Sequence, residues 1–228
     1  MISIAENIER VLRDIQRCEE LHGRAPGSVN LLAVSKKQEI EKIAAAAVAG
    51  LVDFGENYLQ EGLDKIRKLA DLNLTWHFIG PIQSNKTRGI AENFQRVHSV
   101  DRVNIAKRLS NQRPTNLAPL NVCVQVNISN EAAKSGVTIQ DSREVCEAVN
   151  NLPHLNLRGL MAIPAAHTEI TAQRASFLTL ADAYRRLQAD FPTMDTLSMG
   201  MSNDFEAAIA EGSTMVRIGT GLFGSRPS

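Results

Sequence analysis

Eight short apolar runs recur along this chain, each followed by a segment of helical character, and that alternation restricts the fold more than any other feature. The runs are LLAVS (31–35), LVDFG (51–55), TWHFIG (75–80), RVHSV (96–100), PLNVCVQVN (119–127), LNLRGLMAI (155–163), DTLSMG (195–200) and TMVRIG (214–219). Helices are predicted over Glu39–Ala49, about Tyr58–Leu72, about Asn85–Phe94, Asp101 (as N-cap) to Leu109, residues 141–152, about Thr171–Asp190 and Asn203–Glu211. Gly50 is placed to end the first of these as its C′ residue. Strands alternating with helices imply right-handed βαβ units and a parallel sheet. Eight units predict an α/β fold of one closed (β/α)8 TIM barrel, a single domain over residues 1–228. An open doubly wound sheet would carry a Gly-rich turn after its first strand, whereas VSKKQEIEK has no glycine.

Ahead of the first strand, Ile4, Ile8, Val11, Ile15 and Cys18 recur at helical spacing. This extra N-terminal helix is expected to cap the bottom of the barrel or to pack on its side. Lys+Arg and Asp+Glu both number 25, so the chain has no net charge to draw it to nucleic acid or an anionic membrane. The charged N-terminal segment is no signal peptide, and no run is long enough to span a bilayer. Cys18, Cys123 and Cys146 are odd in number and lack metal-ligand spacing. A reduced, cytoplasmic, monomeric protein is expected.

In such a barrel the chemistry lies at the C-terminal strand ends. Alternation puts Leu32, Val34 and Lys36 on one face of the first strand, so Lys36, rather than Lys37, points into the mouth. A partly desolvated lysine there favours its neutral amine, which can form a Schiff base; the alternative is an ordinary exposed lysine that starts the helix. On the last strand Met215, Arg217 and Gly219 face inward, and an inward arginine needs either a ligand or a buried partner such as Asp53 or Glu56. Gly219, Thr220 and Ser202 follow the last two strands, the common phosphate site of this fold. Ser202 also reads as an N-cap. Asn57 either caps a helix or faces a ring, and His77 either lines the mouth or sits satisfied in the core. Lys134, in a polar loop (130–136), is expected to be solvated, with a reach over the mouth as the alternative. An amine opposite an anion site suits an aldehyde with a phosphate tail, pyridoxal 5′-phosphate (PLP). A sugar phosphate held by the same lysine fits equally well on these grounds.

Several segments go beyond spacing. AVSK (33–36), FGENYLQE (54–61), WHFIGPIQSNK (76–86), VNISNEAAKSG (126–136), GLMAIP (159–164), LSMGMSNDFEAAIAEGSTMVRIGT (197–220) and LFG (222–224) together resemble the PLP-binding homeostasis proteins, the YggS and PROSC group. Their fold is similar to the N-terminal barrel of alanine racemase, fold-type III of PLP proteins. The resemblance implies that Lys36 carries PLP, that Ser202, Gly219 and Thr220 hold its phosphate, and that Arg217 faces the pyridine nitrogen. It implies Asn57 beside the ring, with His77 a weaker match. It implies a protein that buffers or delivers PLP, with apo PLP-dependent enzymes as recipients and with effects on amino-acid balance. No turnover is expected, since an unprotonated pyridine is a weak electron sink. The chain also stops four residues after LFG, without the domain that helps build a racemase site. The alternative is a minimal fold-type III enzyme such as an amino-acid racemase.

Overall fold

The computed structural model describes residues 3–129, 131 and 134–224. Helix α1 (Ile4–Leu21) opens with a reciprocal cap: the Ser3 hydroxyl accepts from the Glu6 amide, and the Glu6 carboxylate accepts from the Ser3 amide. Eight strands follow: β1 (Asn30–Val34), β2 (Asp53–Glu56), β3 (Thr75–Phe78), β4 (Arg96–Val100), β5 (Leu120–Gln125), β6 (Leu155–Met161), β7 (Thr196–Met201) and β8 (Met215–Ile218). They pair in parallel in sequence order, and β8 pairs with β1, so the barrel closes. The intervening helices are α2 (Ile40–Val48), α3 (Leu59–Lys68), α4 (Thr87–Asn93), α5 (Val103–Gln112), α6 (Ser142–Asn150), α7 (Ile170–Asp190) and α8 (Phe205–Ala210). A short α9 (Thr220–Phe223) follows β8. This is the expected (β/α)8 barrel.

The sheet is buried on both sides. Its outer face and the helices share one apolar shell built around Phe54, Phe94, Ile105, Leu160 and Phe177. Leu32, Cys123, Met161 and Met215 are buried apart from that shell. Along one face of β8, Met215 reaches a hollow at the bottom while Arg217 and Gly219 reach the mouth. The alternation read from the sequence therefore holds over the whole strand.

Helix α1 packs on the side, against α2, α8 and α9. It buries Ile8, Val11, Ile15 and Cys18. Asn7 Nδ2 donates to the Leu222 carbonyl (3.0 Å) and Arg10 to that of Gly221 (3.1 Å), so α1 braces α9.

Three local expectations are corrected. Asp101 is not the N-cap of α5; Arg102 holds that position, and the Asp101 carboxylate instead accepts from its guanidinium. Asn57 does not cap α3, which starts after Tyr58, and Ser202 does not cap α8, which starts after Asp204. Strands β1, β3, β5, β6 and β8 end one or two residues earlier than expected, β4 ends as expected, and β2 and β7 run one residue further. Lys36, Asn57, Gly80 and Gly219 thus lie in turns beyond the ladder, where side chains are free to turn into the mouth.

One glycine fixes such a turn. A Cβ at Gly80 would sit 2.1 Å from the Asn57 carbonyl oxygen, a contact with backbone that no rotamer relieves. The Gly80 carbonyl is itself held by the Ser99 hydroxyl at 2.6 Å. Gly80→Ala is therefore expected to lower stability by about 1–3 kcal/mol and to displace Asn57. Urea melts read the first effect; an unchanged midpoint would mean that the two turns are loosely coupled.

Candidate functional site

The site begins with a buried lysine. Lys65, on the inner face of α3, is only 4% exposed. Its ammonium donates to the Ser35 carbonyl (2.7 Å), to Glu56 Oε1 (2.8 Å) and to Glu61 Oε1 (2.6 Å). Three donors meet three acceptors, which is what makes a buried charge tolerable. The Ser35 hydroxyl donates to the same Glu56 oxygen, and Glu61 accepts from the Lys37 amide. Residues 35 and 37 are thus clamped on either side of Lys36. Lys37 takes φ 58°, the one positive φ at a non-glycine position among the described residues. This left-handed residue costs about 1–2 kcal/mol. It reverses the chain so that Lys37 is exposed while Lys36 lines the mouth. Burial pushes the Glu56 carboxyl up from its ordinary range, against the opposing pull of Lys65.

The mouth is a cavity of about 630 Å³, within the size range of cofactor pockets. Lys36, Asn57, Ser202, Arg217, Gly219 and Thr220 all line it. Arg217 is 4% exposed. It donates to the Ser198 carbonyl (2.6 Å), the Ser198 hydroxyl (2.8 Å) and the Ala162 carbonyl (2.8 Å). Neither proposed carboxylate partner is available: Glu56 is taken by Lys65, and Asp53 by His77. Burial lowers Arg217 to about 10, with Asp204 pulling it back, so it is a cation at neutral pH. Two of its five N–H groups find no protein acceptor among the described residues.

The turns after β7 and β8 converge. The Ser202 hydroxyl lies 3.9 Å from where a Cβ on Gly221 would stand. Thr220 and Gly221 open α9, and the first amides of a helix have no intrahelical acceptor. A hydroxyl and such amides form a donor set suited to phosphate. On the other side of the cavity, Asn57 Oδ1 is buried without a hydrogen-bond partner among the described residues. A buried acceptor left open in this way calls for a ligand donor. PLP fits these residues: an amine for its aldehyde, donors for its phosphate and an amide beside its ring.

His77 is the exception. Its ring is fully buried below the mouth, held by Asp53 at 2.8 Å and His98 at 2.9 Å, and it does not line the cavity. Strand alternation points it inward, but at a depth nearer the bottom hollow that Asp53 lines. The structure therefore moves it from the ring to the barrel core. Lys134 pairs with Glu131 at 2.7 Å and lines a smaller hollow that shares Asn57, Ile79 and Ile163 with the main cavity. Its loop does reach the mouth. Sequence reasoning missed Lys65 and the wall made by Ile163, Pro164, His167 and Gln173. For the wall, the signal was available in the polar break after the sixth strand. Among the described residues no cluster could hold a metal, and no helix is long and apolar enough to cross a membrane.

A family model of the alanine racemase N-terminal domain matches residues 10–227. The pyridoxal phosphate homeostasis protein of Pseudomonas aeruginosa is 58% identical over 226 residues, covering 99% of this chain and 97% of that one. The chain belongs to the pyridoxal phosphate homeostasis protein family. The Escherichia coli family member is 51% identical over 229 residues, with 99% and 98% of the two chains covered. Among solved structures, PipY of Synechococcus elongatus with PLP bound superposes with a TM-score of 0.82 at 36% identity, covering 97% of this chain and 100% of PipY. Clostridium difficile alanine racemase, at 14% identity and a TM-score of 0.73, shares the fold over 95% of this chain and 60% of its own.

Lys65 provides a test of how the family's lysine turn is held. Lys65→Met leaves Glu56 buried and uncompensated, at a cost of about 3–5 kcal/mol. The sign with pH follows from Glu56. Its folded pKa, already above 4.5, rises further in the variant. The penalty is therefore absent below about pH 4.5 and grows as pH rises towards the folded value. Denaturant melts at pH 5 and pH 8 are expected to show the larger loss at pH 8, with Glu56→Gln in the same chain restoring much of it. Equal losses at both pH values would place the effect outside this ion pair.

Proposed function

We propose that this chain binds PLP covalently at Lys36 and serves to buffer the cofactor and deliver it to apo PLP-dependent enzymes, without turnover of its own. One observation carries the reading. A lysine amine, a buried arginine, a phosphate donor set and an unsatisfied buried amide oxygen all open into a single cavity. The names of the relatives and the PLP bound to PipY support it.

When bound, PLP supplies an aldehyde that condenses reversibly with a primary amine. The chain's own residues do the rest. The clamped turn presents the Lys36 amine to the cavity. Ser202, Gly219 and Thr220 hold the phosphate, and Asn57 accepts a hydrogen bond at the ring side. Arg217 offers N–H groups to the pyridine nitrogen. A guanidinium would donate there without readily giving up its proton, so Arg217 would not protonate the ring as a carboxylic acid would, and would leave it a weak electron sink. That arrangement favours storage over carbanion chemistry. The same reading places the protein in the cytoplasm, where apo enzymes would receive the cofactor, and takes it as a monomer.

Borohydride reduction of the loaded protein, followed by peptide mapping, is expected to leave the pyridoxyl group on the peptide containing Lys36. Recovery mainly on Lys37 or Lys134 would overturn the assignment. Ser202→Ala removes one hydrogen bond to a charged group, about 1.5–3 kcal/mol. PLP retention should then fall roughly tenfold to hundredfold, and the variant should reactivate an apo enzyme faster than the parent. Turnover near about 1 s⁻¹ on any common amino acid would instead favour a minimal racemase.

A further inference from the structure

His77 is left over from the cofactor site, yet it is not an isolated core histidine. Its Nε2 lies 2.8 Å from Asp53 Oδ1, and its Nδ1 lies 2.9 Å from His98 Nε2. His98 Nδ1 in turn lies 2.9 Å from the Ser198 hydroxyl, which accepts from Arg217 at 2.8 Å. The series starts on β2 and runs through β3 and β4. It then crosses the barrel interior to β7 and ends on β8. His77, His98 and Ser198 are all at most 1% exposed.

With both rings neutral, the two ends set the direction of every bond between them. A guanidinium only donates, so the Ser198 oxygen accepts from Arg217. A carboxylate only accepts, so His77 is protonated on Nε2 and its Nδ1 must accept from His98 Nε2. The Nδ1 of His98 must then accept in its turn, from the Ser198 hydroxyl. No ring needs a second proton, which agrees with the burial that lowers both histidines. Each bond polarises the next, with a cation at one end and an anion at the other.

We propose that Asp53, His77, His98 and Ser198 form one directional hydrogen-bond chain through the barrel that positions Arg217 at the floor of the mouth cavity. They are positioning residues; only Arg217 faces the ligand. Asp53 lines the hollow at the opposite end of the barrel, so the orientation of a group at the mouth is referred to a carboxylate at the bottom.

The first test needs no cofactor. Nitrogen-15 NMR of the imidazoles in the PLP-free protein at pH 7 should show both rings neutral and protonated on Nε2. A proton on Nδ1 of either ring, or a doubly protonated ring, would overturn the chain. Asp53→Ala removes the terminal acceptor and should leave His77 and His98 in mixed tautomers; an unchanged His98 signal would mean that the series is not continuous. The second test rests on the PLP reading. His98→Gln keeps one donor and one acceptor, whereas His98→Leu keeps neither. His98→Leu should shift the visible band of bound PLP and reduce its retention about tenfold, with His98→Gln returning both towards the parent. If the ring were only filling the core, leucine would serve as well as glutamine, and that equality would sink the proposal. A parent protein that bound no PLP would refute the PLP reading alone, since the tautomers would stand as measured.

Discussion

Closure of the barrel between β1 and β8 is the constraint on which the site rests. Leu32 pairs with Arg217 and Ala33 with Ile218. This register carries the Lys36 turn after β1 up beside the turn after β8. The approach is close: a Cβ at Gly219 would stand 3.1 Å from the Val34 carbonyl oxygen. A one-residue slip would exchange the faces of β8, putting Arg217 against the helices and Ile218 into the mouth. Both strands are buried on their two sides, so the apolar shell opposes that slip as strongly as the ligand site does. Core packing and cofactor geometry are here a single requirement.

The two buried cations in the barrel wall are held in different ways. Lys65 satisfies all its donors on Ser35, Glu56 and Glu61, while Arg217 is held by carbonyl and hydroxyl oxygens and has no carboxylate in contact. The two cations accordingly do different work. Neutralised by two acids, Lys65 shapes the backbone. Arg217 keeps its charge available to the cavity, and its net positive field suits an anionic ligand.

The sequence carried much of this. The strand and helix alternation, the inward face of β1 and β8, and the gathering of Lys36, Ser202, Arg217, Gly219 and Thr220 could be read because period-two burial and the fold's ligand-binding end are local or general rules. Lys65 could not. In LQEGLDKIRK it reads as one more solvated helical cation, and its partners lie on a strand and a turn that only the closed barrel brings near. His77 stayed open between mouth and core, because the sequence does not say where along the barrel axis its partners Asp53 and His98 end. Asp101 failed as a cap for a similar reason: Arg102 offered its carboxylate a charged donor at no distance.

The bracing of α9 by α1 has a consequence for synthesis. Translation proceeds at about 5–20 residues per second, so Lys36 leaves the ribosome roughly 10–40 s before Thr220. For most of that interval the apolar stripe Ile8, Val11 and Ile15 has neither α8 nor α9 to cover it, and the turn after β8 does not yet exist. A nascent chain therefore carries Lys36 without the turns after β7 and β8 that wall the mouth across from it. The wall of the mouth is complete only when the last helix docks on the first.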